Sequence, residues 1–164
     1  MKKGQLKLSF GMIFSIILII AFLAFGFYAI KFILNLNDIT KVAQFIDDLQ
    51  TSVDKMWKGS EGSQVKTFSL PKKIQYVCFV DYYSGKRGAK FVFYDPLKQV
   101  FYEKENMFFY PVGSGEGNDA VYIKHVDIEA ITSAENPFCI INKNGQVKLT
   151  IKKNYGDNLV KILR

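Results

Sequence analysis

The sequence predicts an α+β protein: one long N-terminal helix packed on an antiparallel β-sheet head. Three observations carry this. Leu8 to Ile30 contains no Asp, Glu, Lys or Arg. Apolar residues then recur at three- and four-residue steps as far as Trp57. Beyond Ser63 the texture changes to short runs rich in Val, Phe and Tyr, set between turn residues.

The uncharged run is 23 residues long. As a helix rising about 1.5 Å per residue it spans roughly 34 Å, enough for a ~30 Å hydrocarbon core. Lys2, Lys3 and Lys7 precede it, and only Lys31 follows it directly. This bias predicts a cytoplasmic N-terminus with the rest of the chain outside. The net charge of +7 is concentrated here, because beyond residue 35 there are 18 basic against 15 acidic residues. Nucleic acid is therefore not an expected partner, since it calls for a concentrated Lys/Arg stripe.

Ile39, Val42, Phe45, Ile46, Leu49, Val53, Met56 and Trp57 form one apolar stripe, with Asp38, Lys41, Asp47, Asp48 and Asp54 mostly between them. No Pro or Gly interrupts Phe27 to Lys58, so span and stripe read as a single helix ending near KGSEGS, Lys58 to Ser63. The expected division is 1–34 for a short leader and transmembrane helix, 35–58 for its amphipathic continuation, and 59–164 for an extracytoplasmic β-rich head. Strands are expected over Ile74–Tyr83, Ala89–Asp95, Lys98–Lys104, Met107–Val112, Ala120–Ile128 and Leu159–Leu163, with Ser114–Asp119 as a loop. In FCIINKNGQVKLTIK, Asn144-Gly145 suits a type I′ hairpin turn, because both residues accept positive φ. One sheet face should lie under the amphipathic half of the helix.

Cys78 and Cys139 fall in β-like runs of the segment placed outside, where disulfides persist. A bridge would close a loop of about 60 residues, worth on the order of 4 kcal/mol; the competing reading is two buried thiols. Together with His125, the only histidine, they make no closed zinc site, which wants four ligands. His125 is expected on a strand surface with Asp127 on the same face, and without a nucleophile the pair makes no triad. GSGEG, Gly113 to Gly117, lacks the GK[ST] ending of a P-loop. No catalytic residue, cofactor or metal is expected, and no enzyme activity. Tyr82, Tyr83, Tyr94, Tyr102, Phe108, Phe109 and Tyr110, interleaved with Lys86, Arg87, Lys90, Lys98 and Lys104, could instead build a stacking face for sugars or single strands. Packing in the β core is the plainer reading of the same residues.

The N-terminus admits three readings. A secretory signal could end at Ala24-Phe25-Gly26, but cutting there would leave an apolar end running from Phe27 to Leu34. A signal anchor would simply stay in the lipid. The third reading is a resemblance: a very short basic leader, Lys3-Gly4, then Gln5, then an unbroken hydrophobic helix resembles the class III signal of archaeal type IV pilin-like proteins. The resemblance implies cleavage between Gly4 and Gln5 by a prepilin peptidase and retention of the helix as a polymerising stem. It also implies self-association or assembly with other pilin-like subunits. The fifth mature position, commonly Glu in that family, is Ser9 here, which suits a minor component better than a major subunit. The residues expected to pack stem against stem are Phe10, Gly11, Phe14, Ile17, Ala21, Ala24 and Tyr28, with Gly11 and Ser15 as a small-xxx-small pair. The expected function is thus a pilin-like subunit or minor component of a cell-surface filament. The alternative, from another class, is a monomeric single-pass anchored module that binds glycan or protein.

Overall fold

The computed structural model describes residues 10–164; Gly4 and Gln5, the expected cleavage site, lie outside the described residues. The chain divides into two compact units, Met1–Asn37 and Asp38–Arg164. Helix α1 runs Phe10–Lys58. In the first unit it is the whole of the described structure. In the second it forms one layer over the sheet.

That layer follows from spacing. Val42, Phe45, Leu49 and Val53 recur every three or four residues and are fully buried, while Asp47 and Asp48 stay exposed. Lys153 closes the helix, its Nζ donating to the carbonyls of Trp57 (2.7 Å) and Gly59 (2.9 Å), which the helix end leaves without partners of its own.

The sheet has seven strands, all paired antiparallel. They are β1 (Gly62–Ser69), β2 (Tyr76–Phe79), β3 (Met107–Tyr110), β4 (Ala120–Val121), β5 (Phe138–Lys143), β6 (Gln146–Lys153) and β7 (Lys161–Leu163). The spatial order is β1-β6-β5-β2-β3-β4, with β7 on β6. Strand β6 pairs along its whole length with β1 on one side. Its other side is shared: Gln146 and Val147 pair with β5, and Thr150 to Lys152 with β7.

Alternation along the strands makes two cores. Val77, Phe79, Met107, Phe109, Val147, Leu149 and Ile151 pack with the α1 stripe. Cys78, Val80, Phe108 and Cys139 point the other way, under a 3-10 turn (Phe91–Phe93) and helix α2 (Tyr94–Lys98). This cover reaches β5 at Cys139 and goes no further, Ile141 being 46% exposed. The corresponding face of β1, β6 and β7 is open, with Val65, Thr67, Lys148 and Leu163 exposed.

Three expected strands are corrected. Ala89–Asp95 and Lys98–Lys104 are not strands; the first carries the 3-10 turn and the start of α2, the second the end of α2 and a turn. Pro96 sits in the first turn of α2, where its missing N–H costs nothing, and Leu97 anchors the helix fully buried. Ala120–Ile128 keeps strand pairing only at Ala120–Val121. His125 takes φ 64°, and Asp127 caps helix α3 (Ile128–Thr132) by accepting from Ala130 N at 2.9 Å. Strand β1, unexpected from the sequence, begins inside the predicted loop at Gly62; only Phe68 is buried in it, so it carries almost no alternating signal. The hairpin turn has φ 55° at Asn144 and 87° at Gly145, as type I′ requires. Gly145 donates no space either: a Cβ there would come within 3.1 Å of the Leu70 carbonyl oxygen.

Candidate functional site

The stem comes first. Described from Phe10 to Asn37, it is helix throughout, and α1 is long and apolar enough to cross a membrane. None of its most apolar 18-residue stretch is buried. Phe10, Phe14, Ile17, Ala21, Ala24 and Tyr28 follow alternating four- and three-residue steps, so they share one side of the helix, with Gly11 beside Phe10. Phe10 is 85% exposed and Tyr28 69%. The Ser15 hydroxyl is satisfied within the helix, its Oγ donating to the Gly11 carbonyl at 2.9 Å. A helix that settles its own polar groups is compatible with hydrocarbon.

In the head, Cys78 and Cys139 sit opposite each other on β2 and β5 and are joined as a disulfide, Sγ–Sγ 2.08 Å. The bond ties strands that also share the second core. Among the described residues there is no cluster of three or more potential metal ligands.

His125 has different company from that expected. Asp127 is turned into its capping role, and the carboxylate facing His125 is Asp54 on α1, with Nδ1 to Oδ1 at 3.0 Å. The Trp57 indole stacks on the imidazole, centroids 3.8 Å apart and planes within 7°. Trp57 Nε1 donates to the Asn158 carbonyl at 3.1 Å, and Gln50 bridges Asp54 Oδ1 (2.7 Å) and Lys124 N (2.9 Å). This cluster fastens the last turns of α1 to the loops before α3 and β7.

No family model, curated protein or solved structure matches this chain.

The expected aromatic and basic face is dispersed. Phe108 and Phe109 are fully buried, and the Tyr94 side chain is nearly so. Tyr82 packs edge-on against Tyr94 and Phe108. Only Tyr83 and Tyr102, at 87% and 79%, are broadly exposed. Of the cations, Arg87 donates to the Ser84 and Ser133 carbonyls and Lys86 pairs with Asp95. Lys90 instead lies over the Tyr76 and Phe93 rings, 4.4 and 5.4 Å from their centroids, and Phe93 stacks on Tyr110.

A different surface was missed. Two adjoining hollows of about 510 and 340 Å³ meet at Gln146. One is lined by Lys41, Lys72 and Lys73, the other by Lys143, Lys148 and Arg164. Lys73 is neutralised by Asp38 (3.2 Å) and Glu116, and Arg164 by Glu135 (2.6 Å). Its sequence signal was available. Residues 62–75 and 138–164 together hold nine Lys or Arg and one Asp, whereas the rest of the head, 59–61 and 76–137, holds six basic and ten acidic residues.

The Asp54–His125 contact yields a prediction. The hydrogen bond from His125 holds the Asp54 carboxyl below its ordinary 3.8. A depressed carboxyl stabilises the fold above its unfolded pKa, and that contribution is lost as pH falls through the folded value. Wild type should therefore melt above Asp54→Asn at pH 6, and the gap should close on acidification below about pH 4. A gap that stays constant from pH 6 to pH 3 in thermal melts of the detergent-solubilised chain would remove Asp54 from the acid response.

Proposed function

We propose that the chain is a pilin-like subunit or minor component of a cell-surface filament, held and polymerised through its N-terminal helix. The observation that carries this reading is the stem: its apolar side chains have no cover, while the second half of the same helix is buried on a sheet. In lipid such side chains gain nothing by meeting each other, so association there rests on close packing and on small residues such as Gly11. Drawn out of the bilayer, they face water unless bundled. At roughly 25 cal/mol per Å² of apolar surface, bundling then becomes strongly favourable. No catalytic residue is needed in the subunit for this. The membrane, other copies or related subunits, and a prepilin peptidase acting on the cytoplasmic side are the partners. The head lies outside the cell.

Mass spectrometry of the mature protein should find Gln5 at its N-terminus. Replacing Gly4 by a bulky residue should block processing and filament formation together. An intact Met1, or a start at Phe27, would end the pilin-like reading.

A further inference from the structure

We infer that the open basic face of the sheet is a binding site for an extended anionic polysaccharide. The inference does not depend on whether the stem polymerises. Lys148 and Lys152 alternate with Val147, Leu149 and Ile151 along β6 and so point away from α1. They stand about 14 Å apart along the strand. Lys143, across the hairpin, and Lys161, opposite Lys152 on β7, share that face. Lys161 is offset by Asp157 at 3.1 Å. Lys143, Lys148 and Lys152 have no carboxylate within salt-bridge distance among the described residues, and neither have Lys41 of α1 and Lys72 at the hairpin end of the face, where Asp38 is held by Lys73. Unpaired ammonium groups repel one another, and an anion shared among them removes that repulsion.

The hollows between these lysines decide which polyanion. Thr67, Ser69, Asn144 and Gln146 line them, and such side chains both donate and accept, as sugar hydroxyls do. Ile140 and Ile141 supply aliphatic surface at the floor. No aromatic ring lines either hollow. A single-stranded nucleic acid would have nothing to stack on, whereas a carboxylated sugar chain finds charge and neutral hydrogen-bonding groups in alternation. An acidic patch on a second copy is a poorer fit, because the ten carboxylates elsewhere on the head are spread among six cations.

The probe is polygalacturonate, set against its methyl ester, which keeps the sugar backbone and removes the charge. The full chain in neutral detergent should bind polygalacturonate and release it as salt rises. Binding to the methyl ester should be at least about tenfold weaker, the loss expected when ion contacts are removed. K143E/K148E should weaken polygalacturonate binding by a similar factor. K98E/K104E, the same change in net charge away from the face, should leave it unchanged. The inference is overturned if the two double variants behave alike or if the ester binds equally well. It is equally overturned if oligothymidylate, anionic vesicles or a second copy of the chain binds this face more tightly than polygalacturonate does.

Discussion

Phe45→Ala is expected to destabilise the head by about 3–5 kcal/mol, the range for removing a buried aromatic ring and leaving a cavity. Phe45 is 1% exposed. Its ring meets Phe68 of β1 edge-on at 5.3 Å and Phe109 of β3 at 5.8 Å, so one side chain of α1 touches strands from distant parts of the sheet order. The cavity cannot collapse without moving β1, which β6 holds in register, and β3, which β2 and β4 hold. Asp47→Ala, two residues on and exposed, is the control and should change stability by no more than about 0.5 kcal/mol. A Phe45→Ala loss below about 1 kcal/mol in denaturant melts of the solubilised chain would mean that α1 does not cover the sheet as described.

The second large effect is at the disulfide. Cys78 and Cys139 are 61 residues apart in sequence, and releasing a loop of that size should cost about 4 kcal/mol in the chain-entropy view. Replacing both by Ser should therefore lower the melting temperature of the head steeply, whereas replacing either alone should in addition leave one buried free thiol. Native protein treated with a thiol label and no reductant should gain no mass. A gain of two labels would dispose of the bridge.

How far the sequence could be read depended on how local the deciding interaction was. The long helix follows from residue spacing alone, and the β5–β6 hairpin from Asn144-Gly145. The segment from Ala89 to Lys104 was misread because Phe91, Val92, Phe93 and Tyr94 have strand composition. What settles it is Pro96 and the absence of a vacant strand position beside β3, whose neighbours are β2 and β4. Strand β1 was hidden for the opposite reason: a polar edge strand buries one residue and leaves no pattern. His125 shows the limit for a site. Its partners Asp54 and Trp57 lie 71 and 68 positions earlier in the chain, and no spacing rule reaches that far. The basic face is the contrary case. The uneven charge was plain in the chain, but only the pairing of β5, β6 and β7 places those lysines side by side.

The pairing of β1 with β6 has a consequence for how the molecule is made. Gly62 is in register with Lys153 and Ser69 with Gln146, so the first strand to be synthesised waits for nearly the last. Until then Val42, Phe45, Leu49 and Val53 have little to lie against. A newly made chain would thus pass through a stage with a sticky ridge on show, prone to clump with other nascent copies.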